Sequence, residues 1–150
     1  MSRTNLRVQE WVIVAMRLVL AGVFLYAGWT KILRPDAFYE DVLNFRLVNG
    51  PFAAWVALML PILEITCGLA LLVPNYAGGA LLVTAALLVT FIVVLIHAWR
   101  LGLNIQCGCF GYSRQMVNYS LKVALNSGLF LFTLFLLLRK LHLSQCPAGR

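Results

Sequence analysis

Four blocks of nearly continuous apolar residues organise this chain: residues 11–31, 52–73, 78–100 and 119–138. Each is close to the ~20 residues a helix needs to cross ~30 Å of hydrocarbon. Strands of a membrane barrel would alternate apolar with polar positions, and these blocks do not. The pattern predicts an all-α fold. It is an integral membrane bundle of four antiparallel helices in a single domain, residues 1–150, with both termini on one side.

The connections between the blocks differ in character. The first, from Ile32 to Pro51, is amphipathic: Phe38, Val42 and Phe45 are interleaved with Asp36, Glu40, Asp41 and Arg46. That spacing predicts a short helix lying on the membrane surface. The second, Pro74-Asn75-Tyr76-Ala77, is a tight turn that makes the second and third spans antiparallel neighbours. The third, Arg100 to Asn118, contains Gly102, Gly108 and Gly111 and carries Cys107 and Cys109. Arg3 and Arg7 ahead of the first block suit the start of a signal peptide. Arg17 interrupts the apolar run, however, which then continues to Lys31, so the block reads as a retained helix.

Composition agrees with the pattern, since 62% hydrophobic and 11% charged residues do not describe a soluble domain. The net charge of +7 comes without a basic run or an aromatic-interleaved patch, so the expected partner is the lipid bilayer and not nucleic acid. Orientation is not decided by charge. Arg3, Arg7, Arg139, Lys140 and Arg150 fall on one side, and Arg34, Arg46, Arg100 and Arg114 on the other, with Lys31 and Lys122 at its boundary. Disulfides persist outside the cytosol, which places the Cys107/Cys109 connection outside and both termini inside.

Arg17 and Glu64 are the charges expected deep in the bilayer. Arg17 lies about 21 Å from the Lys31 end of the first span, and Glu64 about 20 Å from Pro51 at ~1.5 Å per residue. Matching depth predicts an Arg17–Glu64 ion pair with a structural role, because either charge alone would cost several kcal/mol. Arg17, Ala21, Phe24, Gly28 and Lys31 form one stripe of the first helix, and Ala57, Pro61, Glu64 and Gly68 one of the second. Their small residues permit close helix approach. Cys67 reads as a small core residue, Asn126 as a hydrogen bond between helices, and Tyr26, Trp29 and Trp99 as interfacial aromatics.

Cys107-Gly108-Cys109-Phe110-Gly111 carries chemistry by itself. A disulfide across one glycine closes a small, strained and easily reduced ring. His97 ends the third block and Lys122 begins the fourth, with Lys31, Arg34, Arg100 and Arg114 at a similar level. Cationic neighbours raise the thiolate fraction, and thiolate is the nucleophile of disulfide exchange. Cys107, Cys109, His97 and Lys122 are therefore the candidate site of a dithiol that exchanges with a partner thiol protein. Bystander cysteines are the bland alternative. Cu(I) capture by Cys107, Cys109 and His97 ranks lower, and no zinc site is expected from so few ligands in one place.

On Arg17, Gly22, Phe24, Tyr26-Ala27-Gly28, Lys31, Pro35, Pro61, Glu64, Gly68, Leu69 and the Cys-Gly-Cys-Phe-Gly loop, the chain resembles the DoxX-like superfamily and, within it, the MauE branch. The resemblance spans all four helices. It implies a multi-pass protein of the bacterial inner membrane working with a thioredoxin-like exported partner in forming or maintaining the disulfides of an exported, methylamine-dehydrogenase-type subunit. A rival role is a non-catalytic anchor or assembly subunit of a respiratory or thiosulfate-type oxidoreductase. The architecture is also similar to relatives of vitamin K epoxide reductase. This chain has no Cys-x-x-Cys in a helix, so no motif supports a quinone, and no other cofactor is identified.

Overall fold

The computed structural model describes residues 3–102 and 119–145, with side chains described for 11–102 and 119–142. It contains α1 (Arg3–Ile32), α2 (Pro35–Asn44), α3 (Pro51–Leu72), α4 (Ala77–Arg100) and α5 (Tyr119–Gln145), and no strand among the described residues. Trp11–Ile32, Pro51–Leu72, Ala77–Arg100 and Tyr119–His142 are long and apolar enough to span a membrane. The bundle is assembled from two helix pairs, α1 on α3 and α4 on α5, joined where α3 packs on α4.

The core is thin. Leu20, Phe24, Leu71, Leu81, Leu88 and Leu136 are buried, while Phe52, Trp55, Leu82 and Leu131 are exposed on the outside of the bundle. Lipid is as apolar as leucine, so outward-facing hydrophobes need no protein partner and helix association rests on close packing. Two glycines set the α1–α3 approach. A Cβ on Gly28 would come within 2.7 Å of Ile65 Cγ1 and 2.9 Å of the Pro61 carbonyl oxygen. One on Gly68 would meet Leu25 Cγ at 2.7 Å and the Ala21 carbonyl oxygen at 3.2 Å.

These contacts fix the register: Gly28 faces Pro61 to Ile65, and Ala21 and Leu25 face Gly68. The end of α1 at Ile32 therefore does not sit level with Pro51. The first turns of α3 extend past it by a distance on the order of 10 Å, and α2 fills that space.

Proline at the first helical position and Asp36 in the first turn start α2. Its exit uses left-handed backbone at Arg46 (φ 53°) and Gly50 (φ 58°) before Pro51 opens α3. The amphipathic face is turned onto the bundle. Phe38 and Val42 pack against Ala53, Ala57 and Leu60 of α3, and Phe45 packs against Val94 and Ala98 of α4 and Tyr119 of α5. α2 thus lies over the end of the bundle at which α4 stops and α5 begins.

Candidate functional site

Beneath α2 lies a buried ion pair. Lys31 Nζ donates to both carboxylate oxygens of Glu64, at 2.7 Å and 2.8 Å, and to the Ala27 carbonyl oxygen at 3.4 Å. All three ammonium hydrogens thus have acceptors. Side-chain exposure is 1% for each partner, so the pair is shielded from both water and lipid. The rings of Phe38 from α2 and Phe91 from α4 flank the ammonium, with centroids at 5.5 Å and 5.7 Å. Aromatic faces are negative and favour a cation at that distance. Four helices therefore converge on one charge: α1 supplies it, α3 neutralises it, and α2 and α4 wall it in.

This pairing corrects the expected Arg17–Glu64 bridge. Arg17 is at the other end of the bundle, where Nη2 donates to the Leu72 carbonyl oxygen at 3.4 Å. Two physical reasons account for the exchange of partners. Matching Lys31 to Pro51 as equivalent helix ends ignores the stretch of α3 that runs past α1 beside α2. Side chains also lean toward the N-terminus of their own helix. In antiparallel helices that rule brings Lys31 back into the bundle and sends Glu64 to meet it, while Arg17 leans away toward the end of α3. Lys31 was visible on the same stripe as Gly28, and side-chain direction was the signal that would have selected it. The aromatic walls carry no comparable mark, because Phe91 reads like any lipid-facing residue.

Next to Glu64 is a cavity of ≈ 20 Å³, the size of one water, lined also by Val23, Phe24, Leu88, Phe91 and Asn126. Asn126 Nδ2 donates to the Lys122 carbonyl oxygen at 2.9 Å, a bond within α5 where one between helices was expected. Phe91 also lines a larger cavity of ≈ 260 Å³ between α3, α4 and the segment leaving α2, with Phe45, Leu60, Val94 and Leu95. Its polar lining residue is Thr90, whose hydroxyl donates to the Ala86 carbonyl oxygen at 2.9 Å. This lining suits hydrocarbon.

Of the expected dithiol site, His97 lies in the last turn of α4 and Lys122 in the first turns of α5, both half-buried. Cys107 and Cys109 lie outside the described residues, in the connection between those two helices, as does Cys146 beyond α5. Cys67 is a free, buried thiol in the main core, as expected. Among the described residues no cluster of His, Cys, Asp and Glu could hold a metal ion. Tyr26, Trp29 and Trp99 are exposed on the outside of the bundle.

A bundle of four spanning helices, with a buried ion pair roofed by a short amphipathic helix, defines a multi-pass membrane protein. The chain belongs to the MauE family: residues 9–139 match methylamine utilisation protein MauE. It is 36% identical over 104 residues to MauE of Paracoccus denitrificans, covering 69% of this chain and 56% of that protein. Identity is 37% over 93 residues to MauE of Methylophilus methylotrophus (61% and 49%) and 33% over 97 residues to that of Paracoccus versutus (64% and 52%). The chain spans about half the length of these curated relatives. No solved structure matches it.

Proposed function

We propose that this protein is a membrane accessory of methylamine utilisation that exchanges disulfides with an exported, thioredoxin-like partner through Cys107 and Cys109. One observation carries the reading. In the sequence the Cys107-Gly108-Cys109 pair falls between α4 and α5, within the stretch matched to MauE, and the flanking helix ends carry His97 and Lys122. In each turnover a thiolate of one pair attacks the disulfide of the other, a mixed disulfide forms, and the second thiolate resolves it. Two electrons and two protons change hands, and the exported dehydrogenase subunit is the end recipient of the disulfides. Lys122 and His97 favour the thiolate, and the Lys31–Glu64 pair holds the helices that anchor the connection. This is the redox-associated role expected of a DoxX-like protein.

The corrected positions of the charges support termini inside the cell. Arg17 joins Arg3, Arg7, Arg139 and Lys140 on the terminal side, whereas Lys31 is neutralised within the bundle. Positive residues favour the cytoplasm, which leaves Cys107 and Cys109 in the bacterial periplasm.

The test is maturation of methylamine dehydrogenase in cells carrying Cys107→Ser, Cys109→Ser or the double variant, with membrane levels of each variant checked by immunoblot. Loss of mature enzyme with an intact bundle is expected for all three. Lys122→Gln and His97→Gln should slow maturation without abolishing it. Full maturation by the double serine variant refutes the exchange role and leaves a non-catalytic anchor.

A further inference from the structure

We propose that the terminal end of the bundle binds an anionic phospholipid, its phosphate held by Arg17, Arg139 and Lys140. These three cations, from α1 and α5, line one cavity of ≈ 210 Å³ beside Pro74 of the α3–α4 turn. The floor is hydrocarbon: Ile13, Ala77, Leu81 and Leu136. Among the described residues that line it there is no carboxylate. Glu64 is committed to Lys31, and Asp36, Glu40 and Asp41 belong to α2 at the opposite end. Glu10 lies two turns farther out along α1 than Arg17, about 10 Å away by helical rise.

The level of the cations identifies the ligand. Arg17 donates to the Leu72 carbonyl oxygen at 3.4 Å and Lys140 to the Pro74 carbonyl oxygen at 3.2 Å. Both acceptors lie where the apolar span of α3 stops, which is the depth of lipid headgroups. Capping the end of α3 uses one donor from each side chain, yet a guanidinium has five and an ammonium three. Arg139 stands over the Phe135 ring at 5.8 Å, and no acid pairs with it among the described residues. The stem of Lys140 lies across Gly78, where a Cβ would come within 3.3 Å of its Cε and Nζ. A phosphodiester supplies the missing negative charge, and its acyl chain covers the apolar floor. A free phosphate ion would supply the charge alone, and a zwitterionic headgroup would bring its own cation into a site that already holds three. At the strength usual for basic residues near a membrane surface, three cations give anionic over zwitterionic lipid a preference on the order of 10- to 100-fold.

Native mass spectrometry of the full-length protein, released from micelles containing equal phosphatidylglycerol and phosphatidylcholine, tests the site. Wild type should retain phosphatidylglycerol at that preference, and Arg139→Gln/Lys140→Gln should reduce it at least tenfold. Gly78→Val, which keeps every charge but displaces the Lys140 stem, should also reduce it, whereas Arg139→Lys/Lys140→Arg should preserve it. The charge-preserving pair separates lost binding from lost folding. Equal retention of the two lipids by wild type overturns the proposal. So does inorganic phosphate at millimolar concentration raising the melting temperature as far as phosphatidylglycerol does, since the site would then recognise an ion and not a lipid.

Discussion

Removing one member of the Lys31–Glu64 pair is the sharpest perturbation the structure offers. Lys31→Met leaves a carboxyl group that is 1% exposed facing Val23, Phe24, Leu88 and Phe91. The orphaned group escapes by taking up a proton. An ordinary carboxylic acid titrates near pH 4.3, so protonation at pH 7 costs about 4 kcal/mol, at ~1.4 kcal/mol per pH unit. That figure falls within the ~3–5 kcal/mol typical of breaking a buried pair from one side. Glu64→Met should cost a similar amount, because Lys31 then stands uncompensated between two rings. The double variant Lys31→Met/Glu64→Met removes both charges and keeps the volume filled, and should return to within about 1–2 kcal/mol of wild type. A coupling energy of about 6 kcal/mol in magnitude follows, to be read from a double-mutant cycle on unfolding free energies in mixed detergent micelles. Arg17→Met is the control. Arg17 makes one long bond to a backbone carbonyl, so its loss should cost no more than about 1 kcal/mol. If Arg17→Met is as damaging as Lys31→Met, or the cycle shows coupling below about 0.5 kcal/mol, the assignment of Glu64 to Lys31 is wrong.

The same unfolding measurements check the packing. Gly28→Ala should destabilise more than Gly68→Ala, because the obstacles at Gly28 include the Pro61 backbone whereas those nearest Gly68 are the movable end of Leu25; equal losses would contradict the close approach at Gly28. Gly22→Ala, with open space around it, should be neutral or gain up to about 1 kcal/mol from helix propensity. Phe38→Ala should cost about 3–5 kcal/mol and speed proteolysis between Leu33 and Asn49, since Phe38 both docks α2 and walls the Lys31 ammonium. An unchanged cleavage rate would mean that α2 is held by other contacts.

Helix content and the number of spans were legible in the sequence because the bilayer imposes them: about 20 apolar residues and a satisfied backbone leave a helix as the available form. The existence of α2 was legible too, from Phe38, Val42 and Phe45 recurring at helical spacing between acids. So were the stripes along α1 and α3, including every residue that later formed the ion pair. What that face of α2 would cover was not legible, because lipid and a neighbouring helix are equally apolar and leave the same pattern. The partner of Glu64 depended on how far α3 slides past α1, a distance set by the fit of Gly28 against Pro61 and of Gly68 against Leu25. The gathering of Arg17 with Arg139 and Lys140 likewise joins residues more than a hundred positions apart in the chain. Periodicity along one helix reports which residues share a face. Which charge meets which is decided by the relative shift of two packed helices and by the lean of their side chains, and those exist only once the bundle has formed.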